Sequence, residues 1–339
     1  MIATLAASPY RDVDFFSFFG VMFQRLFQAI QGNLPLKDLA SDEIQMLVLI
    51  GLCFSSALIG AFLVLKKMTM MANALCHTIL LGIVLAFLLL KPLFLEEGLS
   101  NSFLSLKILI VASFLSGLLT TLLTQLLVHV AKVQEDASLG LVFTSLFALG
   151  VVLVTLYTKN VHIGTEAIMG NIDALDKDDL SLVGAVALMN LVAFFFFFRG
   201  FTTSTFDPLF AGSIGLPVSF LNYFIMVLTA ATCIAAFRAV GVLLVLTFFV
   251  GPPLMARLLT DKLRTMILLS FVLPAIGSIF SVALSRHILV VYQTPVSTSG
   301  LVVCVFALMY LLLLLFAPKK GVITQILKKK AVFQQGNSR

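Results

Sequence analysis

Nine predominantly apolar stretches recur along this chain of 339 residues, near 44–65, 70–90, 105–127, 138–158, 180–198, 219–237, 239–259, 266–285 and 299–317. A hydrocarbon core about 30 Å thick is crossed by about twenty residues of α-helix, the length of each stretch. Inside that core the backbone N–H and C=O groups must find partners within the protein, so only helices and closed barrels span it. The length and spacing of the stretches predict helices. The fold class expected is therefore an all-α polytopic membrane protein with about eight or nine transmembrane helices.

Composition agrees. The chain is 60% hydrophobic and 11% charged, with a mean hydropathy of +1.11, against about 45–50% and about 25% in soluble domains. The net charge of +6 is not a nucleic-acid signal, because the basic residues sit at the ends of apolar segments and in a C-terminal tail, as membrane topology requires. Cys53, Cys76, Cys233 and Cys304 all lie in apolar stretches without C-x-x-C spacing, which suggests neither a disulfide framework nor a cysteine zinc site. The opening MIATLAASPYRDVDFF lacks a basic region followed by a short apolar core, so no cleavable signal peptide is expected.

Short polar punctuation separates the spans, such as Lys66-Lys67, Lys91-Pro92, Glu96-Glu97-Gly98 and Asp176-Lys177-Asp178-Asp179. Two regions differ. Residues 14–32 carry Phe15, Phe18, Phe19, Met22 and Phe23 at helical spacing together with Gln24, Arg25 and Gln28, which suits an interfacial amphipathic helix. Residues 200–218, GFTTSTFDPLFAGSIGLPV, are too polar to cross and too long for a tight turn. The organisation expected is an N-terminal extension over 1–43, a transmembrane domain over 44–317 and a basic cytoplasmic tail over 318–339. With an odd number of spans and the C-terminus inside, the cytoplasmic segments hold 13 of the 22 Lys and Arg residues. That bias has the sign the positive-inside rule asks for, and it depends on the tail.

Ionisable or ligating side chains within a span are costly and mark functional sites by default. In the second span Asn73, Cys76 and His77 fall within about one helical turn, three and four residues apart. Amide oxygen, thiol and imidazole together suit a borderline divalent ion such as zinc, iron or manganese, whereas a calcium or magnesium site would be built from oxygen alone. The same residues also fit a neutral histidine bonded to a neighbouring helix beside a small apolar cysteine. His162 and Glu166 are four apart in an exterior segment, where they form a helical pair at a pathway entrance or belong to a solvated loop. Glu135 and Asp136 precede a span and complement its dipole, while His129 and His287 lie at membrane boundaries. Gly251, Pro252 and Pro253 are expected to break or kink the seventh span, a feature tolerated where a helix is buried or lines a cavity. No G-x-x-x-x-G-K-[ST] phosphate loop, G-x-G-x-x-G or H-E-x-x-H occurs. ATP hydrolysis, where it drives transport, belongs to another subunit.

Four segments, FLVLKKMTMMANALCHTILLGIVLAFLL, EDASLGLVFTSLFALGVVLV, FDPLFAGSIGLPV and RAVGVLLVLTFFVGPPLMARLL, occur in this order. Together they resemble the permeases of ATP-binding cassette importers for manganese, zinc and iron, over about residues 42 to 317. The resemblance implies a permease fold like that of the cobalamin importers and a dimer formed with the same or a paralogous permease. It also implies a cytoplasmic ATPase carrying ATP and an extracytoplasmic metal-binding protein, with no cofactor resident in this chain. The family pattern D-A-x-S-H aligns with Asn73 to His77: the histidine is kept, the aspartate is Asn73 and the serine is Cys76. In the family the aspartate and histidine belong to the metal path near the external gate, so this chain lacks one full negative charge there. Phe206, Asp207, Pro208, Phe210, Ala211, Gly215 and Leu216, within 203–218, resemble the segment that couples to the ATPase. The function expected is import of a divalent transition metal across the bacterial inner membrane, with His77 touching the ion. A gradient-driven secondary transporter and a membrane scaffold are the rival classes.

Overall fold

The computed structural model describes residues 9–10, 15–31, 39–94, 106–157, 172–175, 177–294, 296–318 and 320–325. His162 and Glu166, and the tail beyond 325, lie outside them. The described residues are helical throughout: α1 Phe15–Ile30, α2 Ser41–Leu65, α3 Thr69–Phe94, α4 Leu106–His129, α5 Glu135–Tyr157, α6 Lys177–Phe206, α7 Pro208–Ser213, α8 Val218–Val240, α9 Val242–Leu259, α10 Leu263–Tyr292 and α11 Thr298–Phe316, with a 3-10 turn at Ile172–Ala174. A helix stands at each of the nine apolar stretches. Among the described residues, six helices are long and apolar enough to cross a membrane, and shorter apolar helices accompany them.

Burial separates a core from a periphery. α2 has 78% of its apolar window buried, against 22% in α5 and 17% in both α6 and α11. Val48, Leu49, Leu52, Cys53, Ala57, Ala61 and Phe62 of α2 are packed on every side by α6, α8, α9 and α10. Small residues permit this closeness, as is usual where helices pack without water. At Gly60 a Cβ would lie 2.5 Å from the carbonyl oxygen of Phe249 and 3.2 Å from Cγ of Pro253. The outward apolar faces of α5, α6 and α11 are those a bilayer solvates. The phenylalanine run 194–198 divides: Phe195 and Phe196 point outward, while Phe194 and Phe197 pack on Phe62, Phe201 and Phe224.

Five polar contacts mark the two ends of the bundle. At one end Lys66 reaches Ser204 and Asn222, and Lys320 pairs with Asp261. At the other, Arg286 pairs with Asp42, and the Thr298 hydroxyl donates to Asp173 Oδ1 at 2.7 Å. Gly241 alone joins α8 to α9, with φ 77° and ψ 166°. That is a region of backbone space essentially reserved for glycine.

α1 lies along α10 with Phe18 buried and Phe16, Phe23 and Phe27 exposed. Its Arg25 grips Glu43 at the start of α2, Nη2 to Oε2 at 3.1 Å. The same carboxylate accepts from the Tyr10 hydroxyl at 3.1 Å and from the Ala40 backbone N–H at 2.9 Å. Burial, and then the Glu43 charge, push the Tyr10 phenol well above its ordinary pKa. Arg25 of α1 thus serves as an anchor between helices.

Candidate functional site

The turn into α3 is tight. Met68 N–H donates to the Leu63 carbonyl at 2.8 Å, and Lys67 takes a left-handed φ of 62°, the geometry of a Schellman-like helix end. α3 then packs against α4, α5, α8 and α9. His77 is eight residues into this helix, hence about 12 Å along it at about 1.5 Å per residue.

At about 100° per residue, Asn73 and His77 lie about 40° apart on the helix and Cys76 about 60° to the other side of Asn73. The structure follows this division. Asn73 and His77 are both half-buried. The His77 ring rests on Phe143 and Phe147, one turn apart on α5, with centroids at 5.5 and 5.1 Å. Cys76 instead turns into the bundle, where its Sγ is 3.3 Å from Sγ of Cys233 on α8, both free thiols fully enclosed. The three donors therefore divide into a half-buried pair and an enclosed thiol, because the face toward Cys76 is the one α8 covers. Beside them, Met71, Leu75, Thr120, Thr124, Leu139 and Met226 line a cavity of about 10 Å³, room for about one water.

Among the described residues, no three His, Cys, Asp or Glu side chains converge. Asn73 and His77 offer two donors, whereas divalent transition metals take four or more. Each Asp and Glu in the described residues sits at a helix end or in a connection: Asp42, Glu43, Glu135, Asp136, Asp173, Asp178, Asp179, Asp207 and Asp261. Glu135 and Asp136 open α5 as a favourable pair for its dipole.

Of the break or kink expected at Gly251, Pro252 and Pro253, the break does not occur: α9 stays helical through all three. A proline lacks the N–H that would reach back four residues, so the carbonyls of Phe248 and Phe249 lose their helical donors. The Phe249 carbonyl is the one lying against Gly60. Both prolines are buried.

The segment after α6 is more ordered than its composition suggests. Residues 200–206 extend α6 instead of forming a loop, because Thr202, Thr203 and Thr205 return their hydroxyls to the carbonyls of Phe198, Arg199 and Phe201, a bond that lets polar side chains sit in a helix. Asp207 then caps α7, accepting the Phe210 N–H at 2.9 Å, and Pro208 occupies the first helical position, as the Asp-Pro start predicts. Gly215 at φ 80° closes it, with Leu216 N–H on the Ala211 carbonyl at 3.0 Å. Ala211 is enclosed, whereas Phe206, Leu209, Phe210 and Ile214 project outward, Leu209 at 86% exposure.

Two residues escaped the sequence reading. Cys233 carries no motif, and only the packing of α3 on α8 brings it to Cys76. Lys66 reads as a topological charge, yet its Nζ donates to Ser204 Oγ at 3.2 Å and to Asn222 Oδ1. Burial pulls its pKa down to about 8.

Residues 43–317 match the ABC 3 transport family. A probable metal transport system membrane protein of Chlamydia trachomatis is 39% identical over 95% of this chain and 98% of its own length. The manganese transport system membrane protein MntD of Bacillus subtilis is 35% identical over 83% and 93%. The zinc transport system membrane protein TroD of Treponema pallidum is 33% identical over 85% and 77%. Among solved structures, PsaBC from Streptococcus pneumoniae in complex with Fab superposes with a TM-score of 0.69 at 25% identity, covering 87% of this chain and 97% of that one.

Proposed function

The chain belongs to the ABC 3 transport family, and on that premise we propose that it is the permease subunit of an importer that carries manganese, zinc or iron inward by alternating access, driven by a separate ATP-binding cassette subunit. It is a multi-pass protein of the bacterial cytoplasmic membrane, a transport subunit and not an enzyme. The observation that carries the cargo reading is the half-buried pair Asn73 and His77 on an otherwise apolar helix. A polar pair at that depth is costly unless it serves passage, and imidazole beside an amide oxygen suits a borderline divalent ion. Relatives that move manganese and zinc support the class and leave the choice of ion open.

Two donors do not complete a shell, and Asn73 brings no charge. A second permease, paralogous to this one and bearing the carboxylate, supplies what is missing where the two meet. The exposed apolar surface of Phe206, Leu209, Phe210 and Ile214 on a capped helix serves as the dock for the ATPase. An extracytoplasmic metal-binding protein delivers the ion at the end where Arg286 meets Asp42. A gradient-driven carrier is less well supported, since among the described residues no carboxylate sits midway along a helix to take a coupling proton.

Reconstitution with the ATPase and the binding protein tests the proposal. Uptake of radioactive manganese, zinc or iron into proteoliposomes that requires ATP is the expected result. Uptake without ATP that follows an imposed proton or sodium gradient would replace the importer with the gradient-driven carrier.

A further inference from the structure

We infer that Lys66 is the strut that carries displacement of the α7 dock into α3, the helix bearing Asn73 and His77; this rests on the importer reading above. Lys66 caps α2, and its Nζ donates to Ser204 Oγ at 3.2 Å on the last turn of α6 and to Asn222 Oδ1 on the first turns of α8. Those two elements flank α7 on either side. α7 is in turn fixed to them: Asp207 N–H donates to the Thr203 carbonyl at 2.9 Å, and Ala211 is enclosed. One cation therefore holds both sides of the dock.

On the other side of Lys66 the chain has no slack. Its own N–H is bonded to the Phe62 carbonyl at 2.8 Å, Lys67 is held in the left-handed region, Met68 N–H reaches the Leu63 carbonyl at 2.8 Å, and Met71 N–H reaches the Met68 carbonyl at 3.1 Å. α3 starts at Thr69, so Asn73 follows within about two turns. A shift of the α6–α8 ends moves the Lys66 head, and the tight turn transmits it to α3 instead of absorbing it. The partners are an uncharged hydroxyl and an amide, so the contact is a directional grip and not an ion pair between mobile chains. A topological role alone would leave the head of Lys66 in water, where a positive charge is best solvated; here it is half-buried between two helices.

The test uses the full complex with ATPase and binding protein, measuring ATP hydrolysis and radioactive metal uptake in the same vesicles. Lys66→Met is expected to keep the ATPase bound and ATP hydrolysis within about two-fold, while metal transported per ATP falls by about ten-fold, the size of a lost coupling contact. Asn222→Leu should give the same loss, the double variant little more, and Lys66→Arg should restore most of the ratio. Asn222→Leu carries the test by itself if Lys66→Met does not assemble. A preserved ratio in Asn222→Leu, or uptake and hydrolysis falling in proportion, would overturn the strut. Absence of ATP-driven uptake in the unsubstituted complex would instead sink the importer reading on which it rests.

Discussion

At the scale of single residues, the proposed pathway turns on which donors of α3 the neighbouring helices leave uncovered. Asn73 and His77 are left half-buried and Cys76 is enclosed, a distinction that follows from about 100° per residue once the position of α8 is known. Restoring a carboxylate by Asn73→Asp adds a full charge where the dielectric is low. Uptake should then half-saturate at lower metal concentration, with slower release and a lower maximal rate; concentration dependence of uptake measures both. Cys76→Ser, by contrast, is expected to leave metal dependence unchanged, because the thiol packs against Cys233. Lys66 gives a pH signature. Its folded pKa of about 8 lies below the 10.5 of a solvated lysine, so the cost of holding the ammonium half-buried is complete below pH 8 and relieved as pH rises toward 10.5. Thermal stability in detergent should gain over that window in the unsubstituted protein relative to Lys66→Met.

At the scale of elements, close approach and backbone geometry set what each helix tolerates. Gly60 admits α9 so closely that any side chain meets the Phe249 carbonyl. Gly60→Leu should cost about 1–3 kcal/mol by overpacking, seen as a lower unfolding temperature in detergent. Gly241 turns α8 back into α9 within one residue, and Gly241→Val should cost about 1–3 kcal/mol of backbone strain, measured in the same way. The spans themselves were legible because twenty apolar residues in lipid have few alternatives. So was the Asp207-Pro208 helix start, a local matter of cap and first turn. Composition did not reveal that 200–206 continue α6, because that depends on threonine hydroxyls finding the carbonyls of the preceding turn. Pro252 and Pro253 do not end their helix, since a packed helix can lose two hydrogen bonds without ending. Neither the Cys76–Cys233 contact nor the Lys66 bridge was legible, because each spans about 150 residues of sequence and depends on which helices become neighbours.

At the scale of the whole molecule, a buried central helix, lipid-facing outer helices and one exposed helix at one end make a subunit that is incomplete alone. On the proposed function, Asn73 and His77 draw further ligands from a partner permease, and the exposed face of α7 meets the ATPase. Deleting residues 208–213 should abolish co-purification of the ATPase while the remaining helices retain their helical circular dichroism; retained co-purification would place the dock elsewhere. Complexes purified through a tag on this chain should contain a second, paralogous permease, and a fully active complex holding this permease alone would remove the need for one. The most direct test of the central claim is ATP-driven metal uptake by the reconstituted complex with His77→Ala beside the unsubstituted chain. The account predicts that uptake is lost in the variant while the ATPase stays bound, and metal uptake that persists undiminished in His77→Ala would contradict it.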